Sequence, residues 1–467
     1  MGASTPRHHS SSLTLPRLVK KILTLSLYAL VPLGLLHYLL RPTPVAVTSS
    51  ISTSPLNGQN KQQQGVQTAA SGAAARKQPV SEASPAPRCD YSEGEWVRNA
   101  AGPRYNGTSC GATIKDGQNC MAHGRPDTGY LHWRWQPRGC ALPPFAPAEF
   151  LEQVRGRHVA FVGDSLARNQ CESLVCLLGS EFPAELVLDG GEERKFRRWA
   201  FPSHDATVSV FWSPFLVNGT EKSSAPGGLG HNRLYFDQPD ERWAAEVPGI
   251  DVVVLSFGQW FMHPAMYYDR GEVIGCHHCP EPNRTETSFF GVFRLAVKNA
   301  LREVIARAGA GREKLAVVTT FSPGHFVGEW DSPDACARTE PYPPGEKELP
   351  YMEREMSLAE AEEVAAAADE AKARGSGVTV EALEVTRLAD MRADGHPGPY
   401  MHAFPFGDGG GGEKKTERVP NDCVHWCLPG PIDTWNEILL QMVKRRHGSS
   451  LVRRRQSRIV VKVDHIQ

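Results

Sequence analysis

The sequence predicts an α/β fold of three layers, with a central parallel sheet between helices, within a chain of 467 residues. Four short apolar runs rich in β-branched residues predict the strands: His158–Val162, Val252–Phe257, Leu315–Phe321 and Val378–Val385. Segments with helical apolar spacing or strong helix propensity separate them: Leu166–Leu178, Phe293–Ala308 and Leu358–Arg374. Strands that alternate with helices are typical of a parallel sheet covered on both faces.

An apolar segment near the N-terminus does not fit this pattern. Residues 22–40 (ILTLSLYALVPLGLLHYLL) are long enough to cross a bilayer and contain no charged side chain. Basic residues cluster just before this run and only Arg41 follows it closely, so the positive-inside rule predicts a type II signal anchor with residues 1–21 in the cytosol. The alternative is a cleaved signal peptide, which the length of the run and the lack of an A-x-A site disfavour.

The remaining chain is predicted to contain one folded domain between two polar segments. Residues 41–88 are rich in Ser, Pro, Ala, Gln and Thr and predict a disordered stem. The folded, lumenal domain is predicted at 89–443, with a Cys- and Trp-rich part at 89–156 and the α/β part at 157–443. Residues 444–467 predict a basic, solvated tail.

Charge and cysteine usage limit the function classes. The chain has 51 basic and 52 acidic residues, a balance that does not favour a nucleic-acid binder and suits a neutral partner such as a glycan. The 11 cysteines lack the spacing of a zinc module and predict disulfides in an oxidising compartment. The candidate disulfide cysteines, whose pairing the spacing leaves open, are Cys89, Cys110, Cys120, Cys140, Cys176, Cys276, Cys279, Cys336, Cys423 and Cys427.

Two smaller sets of residues suggest further features of the lumenal part. The run Cys276-His277-His278-Cys279 holds metal-ligand types, but four adjacent residues cannot all reach one tetrahedral ion, so we predict a structural role and no metal. Asn106, Asn218 and Asn283 begin N-x-[ST] triplets and are predicted glycosylation sites.

A candidate nucleophile lies where the first predicted strand meets the first predicted helix. The residues there are Gly163-Asp164-Ser165-Leu166. A serine at this junction is exposed at the carboxyl edge of the sheet, beside helix amides that can stabilise a developing oxyanion. Ser165 is therefore a candidate nucleophile, and the alternative is that Asp164 or Ser165 only caps the helix.

A candidate base and its orienting carboxylate lie near the C-terminus. A nucleophilic serine needs a base to take its proton and a carboxylate to fix the tautomer of that base. Asp422 and His425 could supply both, and their setting between Cys423 and Cys427 favours a rigid geometry. The alternative is an ordinary surface pair of an acid and a histidine.

Four blocks together identify a family. They are CDYSEGEWV from Cys89, NCMAHGRPDTGYLHWRWQPRGC from Asn119, GDSLARNQ from Gly163 and DCVHWCLPGPIDTWNE from Asp422. The chain from Cys89 to Val443 resembles the plant trichome birefringence-like (PC-esterase, SGNH/GDSL-related) family of polysaccharide O-acetyltransferases. The block around Cys276 is similar to one in the xyloglucan- and mannan-acetylating branch of that family.

The resemblance assigns expected roles to individual residues. Ser165 matches the family nucleophile, and Asp422 and His425 match its DxxH pair. Arg168 and Asn169 match polar residues that organise the site, alongside Gly163, Asp164 and Leu166. Gly258 matches an oxyanion-hole glycine, but the Asn of the next SGNH block has no assignable counterpart, so an amide of Ser165 or Leu166 is the alternative donor.

The resemblance implies an SGNH-hydrolase-like fold and a Golgi membrane enzyme that transfers acetyl groups to xyloglucan or mannan through an acyl-serine. A polysaccharide esterase, a xylan O-acetyltransferase and a non-catalytic glycan-binding protein are the alternatives. The enzyme would bind no resident cofactor or nucleic acid but would need an acetyl donor, acetyl-CoA or a relayed carrier, which another Golgi membrane protein could supply. Candidate glycan platforms, more of which we expect in the core, are Trp133, Trp135, Trp212, Trp260 and Trp330.

Overall fold

The computed structural model describes residues 89–190, 194–281, 283–309, 313–407 and 418–446, all within the compact unit Ser84–Gln467. The predicted signal anchor at 22–40 and the predicted stem at 41–88 lie outside the described residues, as does most of the predicted tail. In the part of the chain that is described, no helix has the length and apolarity needed to cross a membrane.

Thirteen strands are present in the described residues. They are β1 (Gly94–Arg98), β2 (Trp133–Pro137), β3 (His158–Gly163), β4 (Glu185–Gly190), β5 (Phe196–Phe201), β6 (Ala206–Trp212), β7 (Val217–Thr220), β8 (Asn232–Pro239), β9 (Val252–Ser256), β10 (Ala265–Asp269), β11 (Glu272–His277), β12 (Lys314–Thr319) and β13 (Val378–Leu383). The helices are α1 (Pro147–Gln153), α2 (Ser165–Gly179), α3 (Glu241–Ala244), α4 (Phe289–Ala306), α5 (Tyr351–Arg374), α6 (Thr386–Asp390) and α7 (433–446). Because α7 continues to 446, the first three residues of the predicted tail belong to a helix instead.

The central sheet has the strand order β13-β12-β9-β3-β6-β5-β4. The four predicted strands are β3, β9, β12 and β13, and together with β6 they run parallel. The prediction of a wholly parallel sheet is wrong at one edge, where β4 and β5 are antiparallel. The short connections between β4, β5 and β6 explain the difference, since adjacent antiparallel strands need no crossover helix.

Alternation along the central strands produces two apolar layers. In β3, Val159 and Phe161 belong to one buried cluster, whereas Ala160 and Val162 belong to the other. Helices α2 and α7 contribute to the first cluster, and α4 and α5 contribute to the second. The α/β prediction is thus confirmed, with helices on both faces of a mixed sheet.

The Cys- and Trp-rich part is tied to the α/β part by disulfides. Its strands β1 and β2 form an antiparallel pair, in which Trp96 and Trp135 pack edge to face at 5.5 Å between ring centroids. The structure joins the ten candidate cysteines as Cys89–Cys140, Cys110–Cys176, Cys120–Cys427, Cys276–Cys279 and Cys336–Cys423. The eleventh, Cys171, is a buried thiol in α2.

Candidate active site

The junction between β3 and α2 brings the chain very close to β9. Gly163 has a φ of 150°, and a Cβ there would lie 1.7 Å from the carbonyl oxygen of Ser256. Only glycine fits such an approach. Asp164 then caps α2, since its Oδ1 accepts a hydrogen bond from the amide of Leu166 at 2.9 Å. The cap is therefore Asp164, and Ser165 is the first helical residue.

The carboxyl group of Asp164 is fully buried. Burial raises its pKa to about 6, against the opposing effects of the Leu166 amide and the charge of His425. Its Oδ2 is buried and has no hydrogen-bond partner among the described residues.

Asp422 and His425 form a hydrogen-bonded pair. Nδ1 of His425 lies 2.7 Å from Oδ2 of Asp422, while Oδ1 accepts from the amides of Val424 and His425 at 3.0 and 2.9 Å. Burial acts to raise the pKa of Asp422, but the charge of His425 and these hydrogen bonds outweigh it and hold the pKa well below the usual value. An ionised carboxylate at this position accepts a proton carried on Nδ1, so Nε2 is the nitrogen through which the imidazole can take up or release a proton.

The segment that carries this pair, residues 422–427, has no regular secondary structure but is fixed at several points. Disulfides attach Cys423 to Cys336 and Cys427 to Cys120. The backbones of Gly398 and Asp422 also exchange two hydrogen bonds, of 2.8 and 3.0 Å. We refer to residues 422–427 as the DxxH segment.

Asn169 joins the DxxH segment to the helix that begins with Ser165. Its Oδ1 accepts from the amide of Trp426 at 2.8 Å, and its Nδ2 donates to the carbonyl of the same residue at 3.2 Å. Asn169 is four residues after Ser165 and therefore on the same helical face. The structure thus attaches the DxxH segment to the helix that begins with Ser165, and the triad of Ser165, Asp422 and His425 stays a prediction.

The hydrogen bond expected between Ser165 and Nε2 of His425 is absent from the described residues of this structure. Nε2 of His425 has no hydrogen-bond partner in the described part of the chain. Catalytic hydrogen bonds often tighten only when substrate binds. Ser165 is half-buried at this position.

The candidate oxyanion residues surround Asp164. Gly258 has a φ of 140° and precedes the turn Gln259–Met262, and the amides of Gly258 and Gln259 lower the pKa of Asp164 from their place near its carboxylate. The Leu166 amide already donates to Asp164. The oxyanion role expected of the Ser165 or Leu166 amide stays a prediction, and in this structure the Leu166 N–H is engaged by the helix cap.

Arg168 is buried in α2. Its guanidinium lies 5.5 Å from the ring centroid of Trp212, which places it against a tryptophan at the end of β6. Trp212 in turn donates from Nε1 to Glu221 at 2.6 Å. The guanidinium of Arg168 therefore packs against Trp212, and the side chain does not reach the surface.

The candidate glycan platforms differ in exposure. Trp135 is only 1% exposed and belongs to the core, so it cannot present its ring to a glycan. Trp133 is half-buried beneath the guanidinium of Arg98, and Trp260 packs edge to face against Trp212. Trp330 is 56% exposed, and its carbonyl accepts from the amide of Asn421 at 3.1 Å, next to the DxxH segment.

The remaining predicted features are the run from Cys276 to Cys279 and the glycosylation residues. Cys276 and Cys279 are joined to each other, so neither offers a thiolate to a metal, while His277, His278 and Glu286 place one ligand atom each within 4.8 Å of one another. The side chains of the three predicted glycosylation residues are all exposed: Asn106, Asn218 and Asn283.

Two consecutive stretches of the chain match two family models. The model of the PC-Esterase family, described as a GDSL/SGNH-like acyl-esterase family found in Pmr5 and Cas1p, covers residues 142–442, which include Ser165, Asp422 and His425. The chain belongs to the PC-Esterase family. The PMR5 N terminal domain covers residues 87–141, the greater part of the Cys- and Trp-rich region. The family predicted from the four blocks is therefore confirmed.

Curated relatives share most of this PC-Esterase chain. Xyloglucan O-acetyltransferase 1 of Populus trichocarpa is 50% identical over 92% of this chain and 94% of its own length. Xyloglucan O-acetyltransferase 1 of Arabidopsis thaliana is 53% identical over 77% of this chain and 81% of its own. Protein trichome birefringence-like 20 of Arabidopsis thaliana is 39% identical over 77% and 72%, respectively.

Some residues of the PC-Esterase site were not predicted. Ser322 follows β12 and connects two loops of the site: its carbonyl accepts from Nε2 of Gln259 at 2.8 Å, and its hydroxyl accepts from Nε1 of Trp426 at 3.3 Å. His325 and His396 lie buried behind the DxxH segment. None of these lies in a local motif, and only the end of the predicted strand before Ser322 could have indicated that residue.

Proposed function

We propose that this chain is an O-acetyltransferase that acetylates hydroxyl groups of xyloglucan through an acetyl ester of Ser165. The observation that carries the proposal is the Asp422–His425 hydrogen bond of 2.7 Å, in a segment that Asn169 attaches to the helix of Ser165. A polarised imidazole attached to the helix of a half-buried strand-helix serine is the arrangement that we expect acyl transfer to use.

The reaction proceeds in two displacements. His425 Nε2 takes the hydroxyl proton as Ser165 Oγ attacks the acetyl carbonyl of the donor, and the leaving group departs with that proton. The glycan hydroxyl then gives its proton to Nε2 and attacks the acetyl-serine, and Ser165 regains a proton as the acetylated glycan leaves. Asp422 stays ionised throughout and stabilises the imidazolium that forms in each step.

The choice of acceptor rests on the relatives. Two proteins named xyloglucan O-acetyltransferase are about half identical to this chain over most of their length, and this supports xyloglucan over mannan or xylan. Transfer competes with hydrolysis by water, so the acceptor has to be held against the acyl-serine. Trp330, exposed beside the DxxH segment, is the platform that we assign to it.

We also propose the cellular setting. Residues 22–40 would anchor the chain as a single-pass type II protein of the Golgi membrane, with the PC-Esterase domain in the lumen. Acetyl-CoA or a relayed acetyl carrier would be the donor. The five disulfides support an oxidising compartment for the folded domain.

The test is transfer by the full-length chain. The purified protein is incubated with an acetyl donor and with deacetylated xyloglucan, mannan and xylan oligosaccharides, and products are read by mass spectrometry. We expect acetylated xyloglucan oligosaccharides, an acetyl-serine at Ser165 when acceptor is omitted, and loss of both with Ser165→Ala. Acetylation that persists in Ser165→Ala would refute the mechanism.

A polysaccharide acetyl esterase is the second candidate, because the matching family is described as an acyl-esterase family and hydrolysis uses the same acyl-serine. The same assay separates the two. Release of acetate from acetylated oligosaccharides, without any acetylated product from deacetylated ones, would establish the esterase and exclude the transferase.

A further inference from the structure

Two buried histidines form a hydrogen-bonded chain behind His425. Nδ1 of His396 lies 2.7 Å from the carbonyl oxygen of His425. Nε2 of His396 lies 2.7 Å from Nδ1 of His325, and Nε2 of His325 lies 2.9 Å from the carbonyl oxygen of Asp390. His325 and His396 are 7% and 3% exposed, so solvent hardly reaches them. We call these two residues the histidine pair.

The packing of the histidine pair leaves its rings little freedom. The ring of His396 stacks on Trp426 with centroids 4.2 Å apart and an angle of 21° between the planes. The backbone amide of His325 donates to the carbonyl of Cys423 at 2.9 Å, and Arg125 donates to the carbonyl of His396 at 2.8 Å. The pair therefore contacts the DxxH segment at several points as well as at His425.

The two imidazole rings of the histidine pair have fewer protons than hydrogen-bond contacts. A carbonyl oxygen only accepts, so each ring nitrogen that faces a carbonyl needs a proton, and the contact between the two rings needs one more. Three contacts thus require three protons, whereas two neutral imidazoles hold two. Burial lowers the pKa of both histidines, and the positive charge of Lys347 lowers that of His325 further.

A neutral pair can consequently serve only one of the two carbonyls. Two lone pairs facing each other at 2.7 Å would repel, so one proton stays between the rings. The other goes to His425 if both rings carry their proton on Nδ1, or to Asp390 if both carry it on Nε2. The contact to His425 is the shorter of the two. The Asp390 carboxylate, which lies 3.8 Å from Nε2 of His325, has its charge balanced by an ion pair with Lys347.

We propose that His396 and His325 are positioning residues for His425. His396 holds the backbone carbonyl of His425 with its Nδ1 proton, and His325 selects that tautomer by donating from its own Nδ1 to Nε2 of His396. The Asp422–His425 pair is thereby held at the orientation that Ser165 needs. Asn169 holds the same segment through other hydrogen bonds, to the backbone of Trp426. The effect that we expect on kcat rests on the proposed acyl transfer, whereas the tautomer that we assign to His396 does not.

The first test reads the tautomer directly. NMR of the full-length chain labelled with ¹⁵N-histidine distinguishes protonated from unprotonated ring nitrogens. We expect His396 to be protonated at Nδ1 and His325→Phe to produce a mixture of tautomers at His396, since phenylalanine fills the space but donates nothing. An unprotonated Nδ1 on His396 in the unaltered protein would overturn the proposal, whatever the activity.

The second test reads positioning through kinetics. His325→Phe should lower kcat about tenfold, the worth of one hydrogen bond, with the KM for the acceptor unchanged. His325→Asn, which places an amide N–H near the position of Nδ1, should restore most of kcat. His158→Phe is the matched control, because His158 is a half-buried histidine that contacts Ser209 at the other end of β3 and should leave kcat unchanged.

The outcomes separate this inference from the proposed function. A loss of kcat in His325→Phe that Asn does not restore, with unchanged tautomer at His396, would show a structural role only and overturn the positioning role. No transfer by the unaltered protein, with His396 protonated at Nδ1, would refute the proposed function and leave the tautomer assignment standing.

Discussion

Replacing Asp422 with asparagine tests the electrostatic core of the site without changing its shape. Oδ1 of Asp422 accepts from two backbone amides, so the amide oxygen of an asparagine will take that position and its NH₂ will face His425. Nδ1 of His425, at 2.7 Å from Oδ2 in the native protein, must then accept a hydrogen bond and give up its proton. The proton moves to Nε2, which can no longer take one from Ser165.

The expected loss is large in rate and small in stability. A carboxylate-to-amide change in a serine triad costs about 10⁴-fold in kcat, which corresponds to about 5 kcal/mol of transition-state stabilisation. The melting temperature should shift by only a few degrees, because the two backbone hydrogen bonds survive. Initial rates of oligosaccharide acetylation and thermal unfolding measure the two quantities.

A neighbouring carboxylate provides the control for this prediction. Asp331 lies on the surface and forms an ion pair with Arg418, just before the DxxH segment. Asp331→Asn removes one negative charge from the same region without touching His425, so kcat should stay within about twofold. If Asp422→Asn retained a tenth or more of the native kcat, the role assigned to the carboxylate would be wrong.

Two further predictions concern the β3–α2 junction. Gly163→Ala should abolish folding or activity because its Cβ would overlap the Ser256 carbonyl. The control is Gly179→Ala, where a Cβ meets nothing within 4 Å, and it should leave the melting temperature equal or higher. A Gly163→Ala protein that folds and retains activity would contradict this prediction. Asp164 has a pKa raised from 3.8 to about 6, so the native state binds its proton more tightly than the unfolded state, and stability from this group is present below pH 4 and lost as pH rises towards 6. Asp164→Asn should flatten that fall in urea unfolding midpoints, and an unchanged slope between the two proteins would refute it.

The strands and helices that a sequence period can encode were predicted well. Runs such as Val252–Phe257 are apolar at every position except Ser256 because both faces of β9 are buried, one in each apolar layer. The edge strand β4 and its neighbour β5 gave no such signal. β4 is largely exposed, so its residues lack the continuous apolar character that identified the central strands.

The candidate site residues that lie in short sequence blocks could be predicted from the sequence. Asp422 and His425 are three residues apart, and Ser165 follows a strand directly, so short blocks reveal them. Disulfide pairing was not predictable, because Cys120 and Cys427 lie 307 positions apart and only the fold brings them together. His325 and His396 belong to this second class, since each is defined by a contact across 71 residues of chain.

The structure also explains why a loop can carry the base. A histidine on an irregular segment would ordinarily sample many orientations, and each immobilised side chain costs free energy on every encounter with substrate. In this protein the DxxH segment is already ordered in the folded chain, so binding an acceptor does not have to immobilise it. It is held by the disulfides at Cys423 and Cys427, by the Asn169 contacts and by the histidine pair. The geometry of the DxxH segment therefore depends on cross-links formed far from Ser165 in sequence, and disulfides of this kind form in oxidising compartments.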